Sequence, residues 1–254
     1  MAALIEARDV SKSYGSFRAL SGVTLAVADD EFVSIVGHNG AGKTTLVNIL
    51  TGLLRPTSGT VTFKGLDVAG VGPVRLARLG MARAFQLVHI FPGLTVRQTL
   101  AVAVVSQGQK TLRRLFATLD RDEEVQARVE AVARLFGFEQ LDLEARSLSQ
   151  GAKKLLDVAS AFALRPEVIL LDEPTSGVST ADKHQVMRVL VDAARKFGVR
   201  AIIQIEHDMD LVSEYSDRVV ALHNGQILAD RPPKDFFTDP ELVATVVGKR
   251  RPEK

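Results

Sequence analysis

An α/β fold is what this sequence predicts: a mostly parallel sheet, an antiparallel β subdomain at the N-terminal side and an inserted helical subdomain. Three observations carry the prediction. The runs "VILLD" and "AIIQI" are apolar without alternation, the pattern of strands covered on both faces. Segments of helical period separate such runs, and that succession implies parallel pairing. The N-terminal stretch and the stretch from about residue 87 to 150 break the rule, with short alternating strands in the first and a two-faced helical pattern in the second.

Taken in order, "LIEARDVSKSYG" and "VTLAVADDEFVSIVG" read as antiparallel strands, with Asp29-Asp30 as a turn. "EFVSIVGHNGAGKTTLVNILTGLL" is a strand, a glycine-rich turn and a helix whose apolar face runs through Leu46, Ile49, Leu50 and Leu53. "RPTSGTVTFKGLDV" returns to strands and turns. In "RDEEVQARVEAVARLFG", Val125, Val129, Val132 and Phe136 share one helical face opposite charged residues. The strand "VILLD", the helix "TADKHQVMRVLVDAARKFG" and the strand "AIIQI" follow. The expected organisation is one domain over 1–254, with an α/β core in 1–86 and 152–254 and a helical subdomain in 87–151.

Composition excludes several classes. Lys and Arg number 32 against 30 Asp and Glu, and the resulting charge of +2 gives no field of the kind that holds nucleic acid. The basic tail "GKRRPEK" reads as a solvated end. With no cysteine, disulfides and thiolate metal sites are ruled out. Neither a signal-peptide core nor about 18 consecutive apolar residues occur, so the chain is expected in the cytosol unless a partner holds it at a membrane.

"GHNGAGKT" fits G-x-x-x-x-G-K-[ST] and lies between an expected strand and helix, the context this phosphate-binding loop requires. Its Gly37, His38, Asn39, Gly40, Ala41 and Gly42 backbone curls N–H groups around phosphate oxygens, and the helix adds its positive end. Lys43 reaches the β- and γ-phosphates of ATP. The Thr44 hydroxyl is placed for Mg²⁺, and Thr45 for the α-phosphate. Asp172 ends the strand "VILLD", where a carboxylate joins the Mg²⁺ shell. Strand alternation turns the next residue, Glu173, away from the metal, toward a water that attacks the γ-phosphate. His207, at the close of "AIIQIEHD", is a candidate γ-phosphate sensor.

The remaining motif is "LSQGAKK", Leu148 to Lys154, too soluble for a core and too well placed for a linker. Followed by "LLDVASAFALRPEVILLDEPTSG", it resembles the signature loop of the ATP-binding subunits of ABC transporters, which precedes a helix upstream of the acidic strand. The order of motifs agrees along nearly the whole chain. That resemblance implies a RecA-like P-loop core, Tyr14 stacking on adenine, Gln86 in "AFQ" as the glutamine that reaches the metal and nucleotide, "TSGVS" as the D-loop and His207 as the switch histidine. It further implies a head-to-tail dimer with a second ATPase, either a copy or a sister subunit. There Ser149, Gln150 and Gly151 touch the ATP bound to the partner.

"RAFQ", "FPGLTV", "QIEHDM" and "DPELVATVVG" also resemble the branched-chain (hydrophobic) amino acid uptake group. An ATP-hydrolysing importer subunit is therefore implied, peripheral on the cytoplasmic face, with permease subunits and an external substrate-binding protein as partners. "LVHIFPGLTV" is the candidate permease-facing surface. The sequence departs from the family at His38, where proline is frequent, at Gln150 and Ala152 in the signature, and at Ser179 in the D-loop. Repair and chromosome ABC ATPases would need a long coiled-coil or zinc insertion, and ribosomal ones a tandem second ATPase domain, none of which is in the sequence. A metabolite kinase would lack the pairing of "LSQGA" with "LLDEP" and would need an arginine-rich lid.

Overall fold

The computed structural model describes residues 3–84, 90–107 and 122–247. The chain divides into two compact units, one of Met1–Leu76 with Arg200–Lys254 and one of Ala77–Val199.

In the first unit, β1 (Ile5–Tyr14) pairs antiparallel with β2 (Phe17–Val27), Ile5 opposite Val27 and Tyr14 opposite Phe17. The hairpin turns at Gly15-Ser16, where Gly15 has φ +60°. Asp29-Asp30 instead leads out of this sheet into β3 (Glu31–Val36), so the expected turn is present but joins strands of different sheets. On its other edge β1 pairs with β4 (Ser58–Phe63), and β4 with β5 (Leu66–Asp67). The two residues between them, Lys64 and Gly65, both have positive φ, as a type I′ hairpin demands.

The strand β3 runs parallel to β8 (Ala201–Ile205) on one side and to β9 (Arg218–His223) on the other. Antiparallel β10 (Gln226–Arg231) returns from β9 through Asn224-Gly225. Helix α1 (Lys43–Leu50) leaves the end of β3 with Leu46, Ile49 and Leu50 fully buried. Leu53, expected on the same face, is 44% exposed, because the helix stops at Leu50 and Gly52 (φ +68°) redirects the chain. Helices α7 (Met209–Tyr215), α8 (Pro233–Phe237) and α9 (Pro240–Val247) complete the unit, and Phe236, Leu242 and Val246 pack with Val219 and Ala221 of β9.

The chain passes from the first unit to the second within α2 (Pro73–Arg78); in the second, β6 (Met81–Ala84) pairs parallel with β7 (Val168–Asp172) in the register Met81 to Val168 and Arg83 to Leu170. Every residue of β7 is buried, as its unbroken apolar run requires. The helices α3 (Val96–Gln107), α4 (Glu123–Leu135) and α5 (Gln150–Ala163) pack on one another. Asp122 caps α4 by accepting from the Val125 N–H, and Glu123 and Glu124 add negative charge where the helix dipole is positive. Val125, Val129, Val132 and Phe136 are all buried, as their spacing predicts. Helix α6 (Thr180–Phe197) ends at Gly198 in the left-handed conformation.

Phe162 of α5 holds this unit together from its centre. Fully buried, its ring lies 5.4 Å from that of Phe136 and 6.3 Å from that of Phe197. Phe162→Ala removes the shared contact and leaves a cavity, so urea unfolding followed by circular dichroism is expected to show a loss of about 3–5 kcal/mol.

Candidate functional site

The phosphate-binding loop occupies the turn between β3 and α1 in the first unit. Two of its glycines are dictated by space. A Cβ on Gly37 would sit 2.4 Å from the Leu222 carbonyl oxygen, and one on Gly42 2.8 Å from that of Ala19. Both also have positive φ, +153° and +105°. The Lys43 ammonium turns back under the loop and donates to the carbonyls of Gly37 (2.5 Å) and His38 (3.0 Å), which leaves the side chain nearly buried. A cation is thus held inside the curl of a backbone that ends in a helix N-terminus, the arrangement that suits a polyphosphate. Asn39 and Gly40 are exposed on the loop and Ala41 is buried, while in the first turn of α1 Thr44 is exposed and Thr45 half-buried. His38 Nδ1 lies 2.7 Å from the Asn39 carbonyl oxygen, a contact that needs the proton on Nδ1, and its ring meets that of His223 edge-on at 5.0 Å.

Tyr14 ends β1 with half its surface exposed, so it is no core aromatic. The Lys12 ammonium lies 5.3 Å from its ring centroid and also donates to the Arg55 carbonyl. His207 is exposed two residues beyond the end of β8, in the turn before α7 rather than on the strand, and its N–H donates to the Glu206 carboxylate. Glu206, the residue between, is itself buried.

In the second unit Asp172 is the last residue of β7 and only 5% exposed. Its Oδ2 accepts from the Arg83 guanidinium at 2.8 Å, and its backbone oxygen from Lys154 Nζ at 3.3 Å. Oδ1 accepts no hydrogen bond among the described residues. Glu173 lies outside the strand with φ +49°, a left-handed conformation uncommon for glutamate, so local backbone strain, and not strand alternation, sets its direction.

The signature stretch is the first turn of α5, not a loop before it. Ser149 is the N-cap, its oxygen accepting from the Ala152 N–H at 3.2 Å, and Gln150 and Gly151 are already helical. Ser149 and Gln150 are exposed. Lys154, read from the sequence as too soluble for a core, is 3% exposed, its charge accommodated by the Asp172 carbonyl. Ser179 precedes α6 and donates to the Asp182 carboxylate at 2.6 Å. Gln86 and the start of "LVHIFPGLTV" lie outside the described residues, while Phe91 in that stretch is 63% exposed.

Sequence reasoning took Arg83 only as the first residue of "RAFQ" and missed its pairing with Asp172. A lone arginine inside the apolar strand "MARA" was the available signal, since a buried charge calls for a partner.

A sequence profile of the ABC transporter family matches residues 20–176. A probable branched-chain amino acid transport ATP-binding protein, LivG, of Archaeoglobus fulgidus is 31% identical over 98% of this chain and 97% of its own length. The crystal structure of a nucleotide-free ATP-binding cassette from an ABC transporter superposes with a TM-score of 0.83 at 29% identity, covering 98% of this chain and all of that one. An ATP-binding cassette of an ABC transporter in its ADP conformation gives the same TM-score at 30% identity, with the same coverage.

The contacts of Lys43 set a test. Lys43→Ala removes the only cation that hydrogen bonds place inside the loop among the described residues, so a fluorescent-ATP titration is expected to show binding weakened by at least about tenfold, or 1.4 kcal/mol. Unchanged affinity would contradict the phosphate-cradle reading.

Proposed function

The chain belongs to the ABC transporter ATP-binding family, and from that membership we propose that it is the ATP-hydrolysing subunit of an importer for branched-chain amino acids or related small molecules. The observation that carries this reading is the ordered series of motifs along the whole chain, from Tyr14 through Lys43, Ser149 and Asp172 to His207. Partner subunits are its consequence. One is a second ATPase in a head-to-tail dimer, a sister subunit or a copy, and the others are integral membrane permeases served by an external substrate-binding protein. No helix of the described residues is long and apolar enough to cross a membrane, so attachment runs through the permease, at the cytoplasmic face.

Each residue then has a physical role. Tyr14 offers an exposed ring for adenine to stack on. The loop N–H groups and Lys43 bind the phosphates, and Thr45 the α-phosphate. His207, exposed in its turn, donates to the γ-phosphate, and Gln86 reaches the metal and nucleotide.

The donors available suit Mg²⁺. The Thr44 hydroxyl is exposed and Asp172 Oδ1 accepts no hydrogen bond among the described residues, so both are hard oxygen ligands with capacity to spare. Such an ion keeps several waters and binds through one or two carboxylates together with substrate phosphates. Thr44, Asp172 and Gln86 are the residues assigned to hold it, and its chemistry is to neutralise charge developing on the β- and γ-phosphate oxygens. Glu173 orients and takes a proton from the attacking water. Positioning and charge stabilisation by Lys43 and His207 supply the remainder.

Ser149 and Gly151 serve the partner's nucleotide. A Cβ on Gly151 would meet nothing of its own unit closer than Val178 Cγ2 at 3.9 Å, an ordinary contact. Packing within the unit therefore does not require glycine there, and an approaching phosphate is what the resemblance assigns to that bare helix start. Because those contacts need the γ-phosphate, hydrolysis releases the dimer and drives the permease.

Two measurements check the reading. Glu173→Gln is expected to keep ATP affinity and lose steady-state turnover by roughly 100-fold or more, as loss of a general base does. Hydrolysis near the wild-type rate would sink that assignment. Tagged protein pulled from detergent-solubilised native membranes is expected to bring permease subunits and a second ATPase, identified by mass spectrometry. Recovery of soluble partners alone would move the assignment to a non-transport ABC ATPase.

A further inference from the structure

We propose that Arg83 is a positioning residue for ATP hydrolysis, holding the Asp172 carboxylate by one oxygen so that the other is presented to the metal shell. The inference rests on the reading of Asp172 as a metal-shell ligand and goes beyond it, since it gives a role to the arginine of "RAFQ", to which the resemblance assigned none.

Register makes the contact possible. In the parallel pair β6 and β7, Arg83 lies opposite Leu170. Residues two apart on a strand share a face, so Asp172 projects to the same side as Leu170 and Arg83. The diagonal span is short for an arginine, and the guanidinium closes it with a charge-assisted hydrogen bond of 2.8 Å to Oδ2. Burial makes it effective. The two side chains are 7% and 5% exposed, so water competes little for either. Lys154 meanwhile fixes the backbone of the same residue through its carbonyl oxygen.

A role in stability alone accounts poorly for this arrangement, because a buried ion pair is on balance about as stabilising as apolar residues of the same volume. What a fixed guanidinium adds is direction. With Oδ2 held by Arg83, the carboxylate cannot rotate about its terminal bond, and Oδ1 is the oxygen left without a hydrogen bond among the described residues. Glu173 follows in a strained conformation, so a settled Asp172 also fixes the starting point of the turn that aims the proposed base. Partners that orient a metal ligand in this way change metal affinity when they are lost, without touching the metal themselves.

The experiment reads Mg²⁺ dependence apart from turnover. A fluorescent ATP analogue is titrated into the full chain in EDTA and then across a Mg²⁺ series, for wild type, Arg83→Met, Arg83→Lys and Asp172→Asn. For Arg83→Met, affinity in EDTA is expected to match wild type, while the Mg²⁺ concentration giving half the metal-dependent response rises by about 10- to 100-fold. Arg83→Lys, which keeps the charge but not the planar fork, is expected to show a smaller rise in the same direction.

A metal response that shifts in Asp172→Asn but not in Arg83→Met would overturn the role of Arg83 and leave Asp172 as a ligand. An unshifted Asp172→Asn would overturn the ligand reading itself, and the inference with it. Tighter Mg²⁺ binding in Arg83→Met would make Arg83 a competitor of the metal and also overturn positioning. If Arg83→Met does not fold, as thermal melting and the EDTA titration report, Arg83→Lys carries the test alone, and an unshifted metal response in it rejects the proposal.

Discussion

A charge taken out of water must be met by another charge or by hydrogen bonds, and that requirement organises the residues on which this protein's chemistry depends. Lys43 is nearly buried and is met by two carbonyls of its own loop. Asp172 is met by Arg83, and Lys154 by the backbone oxygen of Asp172. Each contact fixes a group that would otherwise sample many rotamers, so the cost of burial is returned as preorganisation. The cation of the phosphate loop and the anion at the end of β7 are both set before any ligand arrives. Phosphoryl transfer needs little else from a protein, because its transition state is stabilised almost wholly by positioned charge.

The scaffold explains why these charges fall where they do. The parallel strands β3 and β7 carry charge only at their ends, Glu31 in the first and Asp172 in the second, because their interiors are buried on both faces. The glycine loop follows the end of β3 and the acid pair lies at the end of β7. Strand ends are where backbone groups run out of partners, and where a helix start or a strained turn begins. Glu173, with its left-handed φ, and Gly37 and Gly42, with their crowded Cβ positions, are the local price of leaving a strand abruptly.

Much of this was legible in the sequence because it depends on short-range pattern. The phosphate loop, the helical face of Val125, Val129, Val132 and Phe136, and the two unbroken strands are local statements, and the structure has each of them. What escaped the sequence depends on distant neighbours. Lys154 is hydrophilic by type, and only the fold reveals a carbonyl oxygen for it 18 residues on. Arg83 and Asp172 are 89 residues apart, and their pairing follows from a register that no local pattern contains. Boundaries were hardest to place. Leu53 continued a periodicity that Gly52 had already ended, and Asp29-Asp30 announced a turn without announcing that it changes sheets.

The departures from the family's signature can be judged by the same physics. What a helix start offers a phosphate is backbone N–H groups and the positive end of a dipole, and neither depends on the side chains that changed. Gln150 in place of glycine fixes a backbone that glycine would leave loose, and Ala152, a strong helix former, gives its N–H to the Ser149 cap. Since the Ser149 oxygen accepts that bond, its hydroxyl proton remains a donor. Gly151 is still glycine, so its N–H in the first turn has no side chain of its own beside it. The substitutions therefore firm the first turn of α5 without removing what a phosphate would bind.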